Sequence, residues 1–431
     1  VGISSAIVRA AANTSTGDQS FTTPDFGGGT PKACIVIYNE ATADGTAINE
    51  LRQTVGFATG STNRNCGSCN SEHGQGASDA SGHIDADKII RAMAMGSSGT
   101  TYAEADFVEF LTDGIKINWS TAPSSAHLIT VILLGGSDLS AFASSTAMLD
   151  IDNNTIDETG VGFQPDIVLG MILDSGVASG HGPLNLGVGW DNAGTIVERC
   201  NSQYHKNGVT TMDVSNAFVD TGFVNSKFRT SAEDFYVELS DFDSSGFSHT
   251  TRSGGANACT MVWMALKFGG SESVHFGTYT TPVTGGNKAE TGPGFKPQLV
   301  IMGVTGSEAI NTHYDDNRGG TWGVGVFTPD SEFCNSGSDE DGVTTSNTQS
   351  LSDNVALNVP DDDGTAETTA SFVSMDANGF TLNYSVAPAT AKLYWMLSIE
   401  EEAAAGRPPQ RRIMENVLVR HAEVGGRGSF A

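Results

Sequence analysis

Apolar and polar positions alternate along much of this chain with a period of two. Ile115, Ile117 and Trp119 alternate with Lys116 and Asn118, and Phe380, Leu382 and Tyr384 alternate with Thr381 and Asn383. An extended backbone sends successive side chains to opposite faces, so this rhythm predicts strands with one face on a core and one on water. The run 129–134 is apolar on both faces, which predicts a central strand covered on both sides. Gly, Ser, Thr, Asn and Asp bound most of these runs, as expected for many short strands joined by turns. Asp113-Gly114 and Asn378-Gly379 read as tight turns in which Gly supplies the positive φ. One stretch has helical spacing, at Ala86, Ile89, Ile90 and Met93. Its counterparts further along contain Gly222 and Pro360, which oppose a helix, so 88–95 is read as a strand.

Four markers recur in the same order. The first is an apolar strand led by a Pro, at Pro31, Pro165 and Pro297, spaced by 134 and 132 residues. A Pro there fits the start of a strand, where no ladder donor is lost. The second is Gly-rich: Val55-Gly-Phe-Ala, Leu186-Gly-Val-Gly-Trp190 and Trp322-Gly-Val-Gly-Val326. Gly187, Gly189, Gly323 and Gly325 lie inside β patterns, where Gly marks a bulge or a close backbone approach. The third is a Cys before a polar turn, at Cys66, Cys200 and Cys334. The fourth is a closing strand pair, in which Trp263 and Trp395 lie 132 residues apart.

A period of this length implies one structural unit used three times. The expected fold is all-β: three tandem β-sandwich (jelly-roll-like) domains plus a short C-terminal helical tail. The expected boundaries are an N-terminal segment 1–20, repeat one at 21–136, a linker at 137–159, repeat two at 160–270, repeat three at 275–401 and a basic tail at 402–431. In the tail Met414, Val417, Leu418 and His421 have the spacing of a short amphipathic helix.

The length of 431 residues accommodates three such units, each able to bury a core. Fifty acidic and 22 basic residues leave a net charge of −28. That surface repels phosphate backbones and anionic membranes, so neither nucleic acid nor membrane is an expected partner. Residues 403–431 carry five Arg and two Glu, a net +3 against −31 for the rest. A basic tail on an acidic body reads as a docking segment, with an unstructured end as the alternative. No run approaches the length of a membrane helix, and residues 1–12 lack the layout of a signal peptide.

The search for chemistry assigns no catalytic, cofactor-binding or metal residue. Cys66 and Cys69, with His73 and His83 nearby, have a zinc-like layout. The other copies have one Cys and no such His pair, so packed thiols are preferred over zinc or a disulfide. Asp150, Asp152, Asn154, Asp157 and Glu158 resemble a calcium loop, but Thr155 replaces the glycine of that pattern, and a polar linker is preferred. The acidic group Asp330, Glu332, Asp339, Glu340 and Asp341 has no spacing that fixes an acid–base pair. Neither a nucleophile elbow nor a nucleotide-binding fingerprint occurs.

The combination of Gly-Phe-x-Pro strands, Gly-rich strands and the closing Asn-(Trp/Tyr)-Ser-x-Ala-Pro segment, at 118–123 and 383–388, resembles tandem-repeat structural proteins of tailed bacteriophages. The resemblance covers residues 21–401 and departs at 245–253, where copy two loses that closing segment. It implies a non-enzymatic virion protein, in a tail, fibre or capsid surface. The expected partners are itself, as a homo-oligomer, other virion proteins and a host surface glycan. A glycan-binding module and a polysaccharide depolymerase are the alternatives. Exposed Trp or Tyr would favour the former. Trp119, Trp263 and Trp395 lie on strands and read as core, whereas Trp190 and Trp322 are ambiguous.

Overall fold

The structure, a computed structural model, describes residues 2–96, 100–148, 152–173, 178–179, 181–226, 235–252, 259–269, 274–314, 319–361 and 364–400. Their regular elements are strands, apart from two three-residue 3-10 turns at Pro24–Phe26 and Thr159–Val161. The chain is therefore all-β and sandwich-like. The alternating positions behave as their pattern predicts. In the strand Gly114–Thr121, Ile115, Ile117 and Trp119 are buried while Lys116 and Asn118 are only partly covered. The helically spaced stretch is the strand Ile90–Met93.

One strand order recurs three times. In copy one, seven strands lie side by side: Ser4–Ala11, Leu128–Gly135, Pro31–Asn39, Leu51–Gly60, Asn63–Ser71, Ala80–Asp85 and Ala178–Ser179. A second sheet orders Gly17–Thr22, Gly114–Thr121, Thr101–Leu111 and Ile90–Met93. Every pairing between these strands is antiparallel. Copies two and three repeat both sheets.

The seventh strand of each large sheet comes from another copy. Ala178–Ser179 of copy two pairs with Ala80–Asp85 of copy one. Thr312–Tyr314 of copy three pairs with Val214–Val219 of copy two. Ile48–Asn49 of copy one pairs with Thr348–Asp353 of copy three. The exchange is cyclic, so the first copy meets the last and the three close into a pseudo-threefold ring.

Burial follows the ring. Along Pro31–Asn39, Cys34, Val36 and Tyr38 face a core shared with the four-stranded sheet, while Ala33, Ile35 and Ile37 face a central core. That central core also contains Leu169 and Met264 of copy two and Ile301 and Leu397 of copy three. Burying a side chain of this size contributes roughly 1.5–3 kcal/mol. The inner faces of the three large sheets therefore hold one another together. The two-sided run 129–134 has the same explanation: Ile129, Val131 and Leu133 face the outer core, Ile132 and Leu134 the central one.

Several expectations are corrected. The segment 1–20 is not separate from copy one, because Ser4–Ala11 pairs with Leu128–Gly135 and Gly17–Thr22 pairs with Gly114–Thr121. The linker 137–159 is largely strand: Leu139–Met148 pairs with Cys259–Phe268, and Thr155–Glu158 with Gly246–Arg252. Thr59, Asn63 and Asn65 of copy one bond its backbone at Ala143 and Ser144, so a strand of loop-like composition is held against that copy. In the 113–114 turn the positive φ belongs to Asp113, at 60°. Gly114 is needed for space, since a Cβ there would lie 1.9 Å from the Phe21 carbonyl oxygen. Its counterparts Gly246 and Gly379 meet the carbonyls of Glu158 and Glu290 at 1.7 and 1.8 Å. The tail 402–431, with its expected helix, lies outside the described residues.

Candidate functional site

The strands Asn63–Ser71, Thr195–His205 and Glu332–Asp339 occupy equivalent places in the three copies. Their last residues are Ser71, His205 and Asp339, successively 134 positions apart. All three point to the pseudo-threefold axis and meet there. His205 Nδ1 lies 2.5 Å from Asp339 Oδ2, and the Ser71 hydroxyl donates to the same oxygen at 2.9 Å. The Gln203 amide donates to His205 Nε2. A carboxylate oxygen only accepts, so Nδ1 carries the proton shared with Asp339. Ser71, His205 and Asp339 are at most 2% exposed, so the cluster is sealed.

Loops beyond these strands lock the axis. Gly74 N–H donates to the Ser346 carbonyl, Gly208 N–H to Ser78 and Gly342 N–H to Met212, each at 2.8–2.9 Å. Return bonds run from Ser78 N–H to Val209, from Met212 N–H to Val343 and from Ser346 N–H to Gln75. A further ring uses unlike side chains for one task. Asn207 Oδ1 accepts from Ala80 N–H at 3.1 Å, Asp341 Oδ1 from Val214 N–H at 2.8 Å and His73 Nδ1 from Thr348 N–H at 3.2 Å. Each acceptor is attached to Cγ, so three residue types reach one point.

The axis holds a Ser, a His and an Asp, but not in the arrangement that activates a nucleophile. Such a serine needs a basic nitrogen on its hydroxyl. Ser71 instead donates to the carboxylate, and His205 Nε2 is taken by Gln203. What this geometry does is join three copies through charge-assisted hydrogen bonds in a sealed interior.

The sequence candidates lie elsewhere. Cys66 and Cys69 share a strand but face opposite sides, as residues three apart must. Cys69 enters the central core, whereas Cys66 faces Arg91 of the four-stranded sheet. All six cysteines are buried and none is in a disulfide. Burial pushes the Cys200 and Cys334 thiols up to about 12. Among the described residues no group of three or more His, Cys, Asp or Glu could hold a metal ion. Of the calcium-like group, Asp150 lies outside the described residues, Asp157 accepts from Ser248, and Glu158 accepts from Thr146. Within the acidic group, Glu332 accepts the N–H of Ala356 and of Phe372, and Glu340 accepts from Asn347. A shallow open depression of about 390 Å³ is lined by glycines 27–29, Phe26, Lys32 and Ser137. The Lys32 ammonium there is spent on the carbonyls of Ser137 and Leu139.

Trp263 and Trp395 are both buried but not equivalent. Met264 and Leu397 pair with equivalent residues Leu169 and Ile301, so the counterpart of Trp395 is Val262. Trp395 enters the central core and Trp263 an outer one. A one-residue offset along a strand exchanges the faces.

Sequence reading missed the axial residues. They lie five positions after Cys66, Cys200 and Cys334, but a search for likeness between copies passes over a position filled by three unlike residues. No family model matches this chain, and neither a curated protein nor a solved structure matches it.

Proposed function

We propose that this chain is a non-enzymatic structural protein of a tailed-phage virion, a component of a tail, fibre or capsid surface. In this reading its three repeats are jelly-roll-like sandwich domains that act as one block. The observation that carries it is the cyclic exchange of strands, which ties the first repeat to the last. A block tied in this way resists loosening at any single interface and presents its turns outward, as an assembly part must. The net charge of −28 favours solubility and basic partners over nucleic acid.

The partners in this reading are further copies, other virion proteins and a host surface glycan. The basic segment 402–431 is the docking candidate on an acidic neighbour. Trp119, Trp263, Trp322 and Trp395 are buried and Trp190 is partly covered. That burial favours a structural role over a lectin, whose sugar platform needs an open aromatic face.

Mass spectrometry and immunogold electron microscopy of purified virions test the proposal. The chain is expected in the particles of a phage that encodes it, and its absence from them would overturn the reading. Strong hits on a glycan array would favour the lectin alternative, and cleavage of host polysaccharide the depolymerase.

A further inference from the structure

The three copies share a backbone plan, yet their contacts across the axis use unlike residues that fit one another. We infer that these positions specify the cyclic order of the copies, so that the inner faces of copies two and three accept their unlike neighbours and reject a copy of themselves.

Two layers carry this together. In the first, Asp339 accepts from His205 and from Ser71, one group from each copy. A ring of three third copies would bring three carboxylates together in a sealed interior, where like charges cannot all remain ionised. A ring of three second copies would bring three imidazoles together with no carboxylate.

The second layer lies four residues back along the same strands, at Gly67, Asn201 and Asn335. Asn201 accepts from the Trp395 indole N–H at 2.9 Å and donates to the Val304 carbonyl of copy three at 3.0 Å. Asn335 donates to the Thr130 hydroxyl of copy one at 3.0 Å. Thr130, Val262 and Trp395 are equivalent positions. Copy two therefore offers the preceding copy a valine, and there the asparagine is replaced by Gly67, where an added Cβ would already lie 3.2 Å from the Met171 sulfur of copy two. Each asparagine stands where its neighbour has a polar partner, and the glycine where it has none. Three second copies would bury the Asn201 side-chain oxygen against Val262, an acceptor without its indole donor in an apolar setting.

Specification of order makes a prediction that a merely stabilising cluster does not: fidelity of assembly and native stability can be separated. The full chain is unfolded in urea, refolded at increasing concentration, and analysed by size exclusion with light scattering. Wild type is expected to return to one species of its native mass. The pair His205→Ser/Asp339→Ser makes the first layer neutral and alike, and is expected to show a several-fold rise in misassembled material. Ser71→Asp/His205→Asp is expected to lose the native transition, whereas the exchange His205→Asp/Asp339→His keeps one acid and one imidazole and is expected to recover most of it. Clean refolding of the all-serine axis would overturn the inference. If that variant does not fold, equal melting temperatures for the three-carboxylate and exchanged chains would overturn it.

Discussion

His205 and Asp339 belong to different copies and different sheets, yet Nδ1 of one lies 2.5 Å from Oδ2 of the other at the centre of the molecule. Removing one partner of a buried, hydrogen-bonded pair leaves the other without compensation, at a cost of about 3–5 kcal/mol. His205→Leu is expected to lose stability on that scale. Urea unfolding followed by tryptophan fluorescence measures it, and an unchanged midpoint would mean that the pair does not hold the axis.

Gly56, Gly187 and Gly325 are cross-strand neighbours of Cys66, Cys200 and Cys334. At each the chain crossing between sheets passes over the glycine. A Cβ would lie 1.9 Å from the Ile89 carbonyl oxygen, 1.5 Å from that of Phe223 and 2.4 Å from that of Ala356. Gly187→Ala is expected to destabilise by roughly 1–3 kcal/mol or more, the scale of an overpacked core. Gly76→Ala, with open space around it, is expected to be near neutral. Thermal melts of the two variants side by side give the comparison.

His73 occupies the acceptor position that copies two and three fill with Asn207 and Asp341. His73→Asn keeps an acceptor on Cγ and is expected to stay within about 0.5 kcal/mol of wild type. His73→Leu leaves the Thr348 N–H unpaired and is expected to cost about 1–3 kcal/mol. Equal stabilities for Asn and Leu in urea titrations would show that the hydrogen bond is dispensable.

Glu198 accepts the Leu239 N–H, and burial pushes its carboxyl from the ordinary 4.5 up to about 8. Between those values the folded chain holds a proton that the unfolded chain has released. The linkage slope is therefore negative, and the contribution of Glu198 falls as pH rises across that window. Glu198→Gln removes the titration. Its melting temperature is expected to match wild type near the lower limit and to exceed it increasingly toward about pH 8. A constant difference across the window would refute the assignment.

Six buried thiols outside any disulfide, all shielded from solvent, should be inert in the native state. An aromatic disulfide reagent is expected to label none quickly, and all six after unfolding in denaturant. Rapid labelling of Cys66 or Cys69 in the native chain would contradict their burial on opposite faces of one strand.

Much of the architecture was legible locally. The alternation at 115–119 placed Ile115, Ile117 and Trp119 in a core, and the two-sided run 129–134 announced a strand covered on both faces. The reading failed where two segments with ordinary local patterns differed only in register. Trp263 and Trp395 match in spacing yet enter different cores, because an offset of one residue reverses a strand's faces. It failed also at 139–148, where a strand lying against a neighbouring copy has the composition of a connection. The axial site left no mark, since Ser71, His205 and Asp339 resemble one another only in position.

What the sequence determined by itself is the all-β class and the three-fold recurrence, because the pleat imposes period two on every strand and a repeated unit repeats its buried face. Tertiary structure alone decided that the copies close into a ring and which unlike residues meet at its centre. The exchanged strands Ile48–Asn49, Ala178–Ser179 and Thr312–Tyr314 are two or three residues long, too short to carry a periodicity. Their pairing depends on where a different copy presents its sheet edge, and that is a property of the assembled molecule, not of any local stretch of chain.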